Sequence, residues 1–95
     1  MLLYRAMCNT EAERTINLGR PAFVRRFKWF SHSLTFIQQR VQGGNFNNSK
    51  VLPERYSRVL MFETQDIHKS DFVSDNEVQF DRKRNAKIVF IKELF

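Results

Sequence analysis

Between Arg25 and Ser33 the chain alternates cation with aromatic and then finishes on two hydroxyls: Arg25-Arg26-Phe27-Lys28-Trp29-Phe30-Ser31-His32-Ser33. Alternation over two faces is the signature of a strand, and Leu34, Ile37 and Val41 follow at helical spacing. The chain is therefore constrained to a strand that empties directly into a helix. Such a junction has two readings. The hydroxyls can cap the helix. They can equally form one wall of a phosphate-binding cleft, because free backbone N–H groups and the positive end of the helix dipole attract anions.

Other elements arrange themselves around that junction. Leu2 to Met7 reads as a first strand, with Leu2, Tyr4 and Ala6 on one face and Leu3, Arg5 and Met7 on the other. Thr10-Glu11-Ala12-Glu13 has the capping-box pattern that opens a helix, and Gly19 and Pro21 close it. The cation-aromatic strand spans Phe23 to Phe30, with Trp29 expected in the core. The helix capped by Ser31 or Ser33 stops at Gly43-Gly44, and Asn45 to Lys50 is a polar loop.

Tyr56 to Thr64 is apolar on both faces at Val59 to Phe62, as in a strand covered on both sides at mid-sheet. Asp71-Phe72-Val73 reads as a brief strand and Ser74-Asp75-Asn76 as a turn. Glu77 to Asp81 and Ala86 to Glu93 then form a hairpin around Arg82-Lys83-Arg84-Asn85, its second strand well covered. The sum is one small α+β domain across residues 1–95. It has about six strands in a split or strongly twisted, mostly antiparallel sheet, with two short helices.

A chain of 95 residues with 42% hydrophobic residues and ten phenylalanines can fill one modest core. Cys8 is the sole cysteine, which excludes an internal disulfide and leaves no zinc-ligand spacing, so a reducing, cytoplasmic setting and no metal are expected. The longest apolar runs are strand-length, so neither a signal peptide nor a transmembrane segment is predicted. A net charge of +6 favours anionic partners: a nucleotide, a nucleic acid or an acidic protein surface. Arg25, Lys28, Arg82, Lys83 and Arg84 are the candidates for such contacts.

Three separated motifs carry a family resemblance. They are Leu3-Tyr4-Arg5 on the first strand, Trp29-Phe30-Ser31-His32-Ser33 running into a helix, and Asp75-Asn76-Glu77-Val78 at the start of the penultimate strand. In this order they resemble the arginine, Ser-x-Ser and glutamate motifs of the ADP-ribosyltransferase fold, in which a split β-sheet binds NAD across a cleft. The resemblance implies that Arg5 contacts a cofactor phosphate or its adjoining ribose and that Ser31 and Ser33 support the nicotinamide ribose region. Glu77 would be the catalytic residue, hydrogen-bonding a ribose hydroxyl and stabilising an oxocarbenium-like transition state as nicotinamide leaves. A guanidinium suits phosphate, and a carboxylate suits developing positive charge. The chain departs from the family at Asp75, where transferases carry Glu or Gln, and at His32, where the middle residue is Thr.

Each residue also has a plainer reading. Arg5 can serve a structural ion pair, with Glu77 as one partner, and Ser31 and Ser33 can be helix caps. Glu77 can answer Arg82-Lys83-Arg84 across the hairpin. His32 and His68 read as surface residues and Cys8 as a structural thiol. The alternative function is a small basic nucleic-acid-binding or protein-interaction module, with bases stacking on the aromatics of Arg25 to Phe30. A homodimer through an exposed sheet edge is a further option.

Overall fold

The computed structural model describes residues 1–22, 26–43 and 58–94. Arg25 and the expected loop at 45–50 lie outside them. In chain order the elements are β1 (Leu2–Met7), α1 (Asn9–Leu18), β2 (Phe27–Ser31), α2 (Leu34–Gly43) and β3 (Arg58–Glu63). A 3-10 turn (Lys69–Asp71), β4 (Glu77–Asp81), α3 (Arg82–Asn85) and β5 (Val89–Glu93) complete them. The strands form one open antiparallel sheet in the order β4-β2-β1-β3-β5.

β1 is central because it buries side chains on both faces. Leu3 and Met7 point into the main core with Phe30, Leu60, Phe62, Val78, Phe80 and Ile88, and Ala12 of α1 lies over them. Ala6 points the other way, packing with Val59 and with Ile37 of α2. The main core is built from large rings: Phe30 meets Phe62 at 5.3 Å and Phe80 at 5.8 Å, and Phe62 meets Phe90 at 6.1 Å. Tilted and edge-on pairs of this kind each contribute about 0.5–1.5 kcal/mol beyond the area they bury.

Several expectations need correcting. The capping box at Thr10 and Glu13 does not form: α1 starts at Asn9, with Cys8 at the N-cap and no side-chain cap. Glu13 instead pairs with Arg58 of β3 at 2.6 Å. The other end is as expected, with Gly19 at φ 73 and its N–H reaching the Thr15 carbonyl at 2.8 Å.

Segments 77–81 and 86–93 are not a hairpin. β4 pairs with β2 at one edge of the sheet and β5 with β3 at the other. Residues 82–85 are a helical turn, started by the Asp81 carboxylate accepting the Arg84 N–H at 2.9 Å. It is tied down by buried Asn85, whose Nδ2 donates to the Phe80 carbonyl at 2.9 Å and the Asp81 carbonyl at 2.6 Å. Arg84 anchors the turn further through Asp71 at 2.6 Å and Asp66 at 3.1 Å. β5 is consequently an edge strand with Val89 and Ile91 exposed, not a covered one. The brief strand expected at Asp71-Phe72-Val73 is reduced to the 3-10 turn and a single bridge, Phe72 to Val78. Among the described residues no helix is long and apolar enough to cross a membrane.

Candidate functional site

Register sets the site. Glu77 of β4 stands opposite Ser31 of β2, and Ser31 stands opposite Tyr4 of β1. Cross-strand partners share a face, so the three form a row over three adjacent strands, on the face that carries α2. Ser31 is fully buried, its Oγ accepting the Ser33 N–H at 3.0 Å and donating to the Ser33 carbonyl at 3.2 Å. The Ser33 Oγ accepts the Phe36 N–H at 3.2 Å and so caps α2. Both hydroxyls therefore serve the strand-to-helix junction, as the capping reading expected.

Glu77 is half-buried, and among the described residues its carboxylate meets no hydrogen-bond or ion-pair partner. Its position is nonetheless held. The Glu77 carbonyl accepts the Val73 N–H at 3.0 Å, closing the turn before β4. His32 pins the same turn: its Nε2 lies 2.5 Å from the Asp75 carbonyl and its ring packs against Phe72 at 5.5 Å. Sequence reasoning placed His32 on the surface, where it is, but missed this contact, because only the β2–β4 pairing brings residue 32 to residue 75.

Arg5 faces the opposite side of the sheet. Its Nε and Nη2 hold the two oxygens of Glu11 at 2.7 and 3.2 Å, and its Nη1 donates to the Trp29 carbonyl at 2.8 Å. Lys28, only 3% exposed, donates its Nζ to the same Glu11 carboxylate at 3.0 Å and to the Ala22 carbonyl. One carboxylate thus serves two cations from two strands. Burial pushes the Glu11 pKa up, but the hydrogen bond and charge of Arg5, joined by Lys28, outweigh it and hold the carboxyl below its ordinary 4.5. Burial, with the like charge of Arg5, lowers Lys28. This ion triad was not foreseen, since the sequence suggested Glu77 as the partner of Arg5.

The triad predicts a pH dependence. Because the folded-state pKa of Glu11 is depressed, its stabilising contribution is fully present above the unfolded value and is lost as pH falls through the folded one. Asp66 and Glu93 are lowered too, chiefly by hydrogen bonds from Lys87 and Arg58 respectively. Urea midpoints measured from pH 7 to pH 3 should therefore fall on the acid side, and Glu11→Gln should flatten part of that slope and leave the rest. An unchanged slope in Glu11→Gln would mean that the triad does not titrate with folding.

The remaining nominated cations are dispersed. Lys28 is enclosed with Glu11, and Arg84 is held between Asp66 and Asp71. Arg82 and Lys83 are exposed on α3. Trp29 and Phe27, on the same face as Ser31, are 46% and 48% exposed, so Trp29 is not the core residue it was expected to be. The physical reason is coverage: on this face the apolar cluster around α2 gathers Tyr4, Ala6 and Val59, and neither Phe27 nor Trp29 belongs to it. Among the described residues no group of three or more His, Cys, Asp or Glu could hold a metal ion.

The fold and its site define a small α+β domain whose Ser-x-Ser strand lies between an arginine-bearing strand and a glutamate-bearing one. Compared with known proteins, the chain matches no family model, no curated sequence and no solved structure.

Proposed function

We propose that this chain binds NAD in an ADP-ribosyltransferase-like manner at the Glu77 end of this row, with buried Ser31 holding the strand-to-helix junction beside it. The observation that carries this reading is the half-buried Glu77 carboxylate, unpartnered among the described residues, directly opposite Ser31 on the neighbouring strand. Support also comes from the adjacency of β4, β2 and β1, which brings the motif-bearing strands side by side.

In this reading Glu77 accepts a hydrogen bond from a hydroxyl of the nicotinamide ribose. The bond between the ribose anomeric carbon and the nicotinamide ring nitrogen breaks, and its electron pair leaves with nicotinamide. The carboxylate stabilises the positive charge left on the ribose. Water, or another nucleophile, captures that carbon and gives up a proton. Arg5, fully engaged by Glu11 and the Trp29 carbonyl, acts here as a positioning residue that ties β2 to β1 and α1.

Calorimetric titration of NAD at moderate salt, with free nicotinamide assayed in the same samples, tests the reading. Wild type should bind saturably and release nicotinamide. Glu77→Gln should keep binding and lose release by about 10²–10³-fold, the usual consequence of removing one electrostatic stabiliser of a transition state. No heat at millimolar NAD from folded protein, or undiminished release by Glu77→Gln, would refute it.

A further inference from the structure

We propose that the open end of β2 binds single-stranded nucleic acid, with bases stacking on Phe27 and Trp29 and phosphates held by Arg26, Arg82 and Lys83. This does not rest on the NAD reading, since it uses different side chains and a ligand without nicotinamide.

Phe27 and Trp29 alternate on one strand, so both rings leave the same face, separated by two strand steps of roughly 7 Å in total. Each is about half exposed. Folding leaves this much aromatic area in water although the core next to it is built from rings. Aromatics set side by side on a sheet surface offer stacking platforms that suit any base, because every base has a π-face. Gln79 of β4, the register partner of Trp29, adds an amide beside the platform.

The cations sit where phosphates would run. Arg26 sits with its guanidinium over one face of the Phe27 ring, 5.8 Å from its centre, which leaves the other face for a base. Phe27 is paired with Asp81, so Arg82 and Lys83, which follow Asp81, stand at the Phe27 end of the platform. The carboxylates of Asp81 and Glu77 share the aromatic face, and repel phosphate from β4 itself. A backbone is thereby directed to the Arg26 and α3 side while the bases lie over β2. A duplex does not fit this arrangement, because its base faces are already stacked on each other.

Trp29 is the sole tryptophan, so intrinsic fluorescence reads the platform directly. Twelve-nucleotide oligothymidylate and oligouridylate should each quench it saturably, with affinity falling at least tenfold between 50 and 200 mM salt. If one of the two binds much more tightly, the site is DNA- or RNA-selective and the proposal stands in that form. Phe27→Ala should weaken binding about tenfold. Anisotropy of a labelled oligomer should show Trp29→Phe binding near wild type and Trp29→Ala weakened, with both variants folded by circular dichroism. No quenching at millimolar nucleotide, equal quenching by a duplex, or unchanged affinity in folded Phe27→Ala would overturn the proposal.

Discussion

Glu11→Ala is expected to destabilise the fold by about 3–5 kcal/mol, the usual cost of stripping a buried charge cluster of the carboxylate that neutralises it. Arg5 and Lys28 reach the same Oε2 from neighbouring strands at 2.7 and 3.0 Å. Without the carboxylate two mostly enclosed cations face each other. In a domain of this size a loss of that order lowers Tm on the order of 20 °C. Lys28→Met is the informative contrast, because it removes the more deeply buried cation and leaves the Arg5–Glu11 pair intact. Its thermal and urea stability should stay within about 1.5 kcal/mol of wild type. Should Glu11→Ala unfold at the wild-type urea midpoint, the triad would not be what joins α1 to the sheet.

Phe62→Ala should cost a similar amount, about 3–5 kcal/mol, as large aromatic deletions in well-packed cores do. Phe62 is completely buried, and its ring meets both Phe30 and Phe90. It therefore joins β2, β3 and β5, and truncation opens a cavity that three strands would have to close together. Ile91→Thr, on the exposed edge strand, should move stability by no more than about 0.5 kcal/mol. Equilibrium urea unfolding of the three proteins, with unchanged m-values, gives the comparison. Equal losses at residues 62 and 91 would contradict the core described here.

The contrast between these positions also marks what the sequence could and could not convey. β1, its two faces, the glycine stop of α1 and the serine cap of α2 were legible, since each depends on spacing within a few residues. The place of β5 was not. Ile88 to Ile91 is as apolar as Val59 to Phe62, and an apolar run does not say whether a neighbour exists on both sides. The hairpin expectation failed for a related reason. Two strand patterns joined by a basic tetrapeptide look alike whether they pair or part. Here Arg84 finds Asp66 and Asp71, and Asn85 finds the Phe80 and Asp81 carbonyls, none of which a local pattern reveals.

The candidate site divides along the same line. That Ser31 and Ser33 mark a strand-to-helix junction could be read directly. That Glu77 stands opposite Ser31, while Arg5 turns to Glu11 on the far face, depends on pairings between distant segments. Trp29 was misplaced because alternation along β2 turns Phe30 to the main core and Trp29 to the other face, where the cluster around α2 does not reach it.

The strand order β4-β2-β1-β3-β5 has a kinetic consequence. Among the described strands only β1 and β2 are neighbours both along the chain and in the sheet, while β2 meets β4 across about fifty intervening positions, as Phe27 and Asp81 show. Loops of that length must be closed before the pairings they enclose contribute anything, and such topologies fold on the order of milliseconds to seconds rather than microseconds. The Ser31–Glu77 contact is one of these late closures. A nascent chain would thus carry its serine strand for some time with an open edge, and the candidate site would come into being only when β4 arrives to cover it.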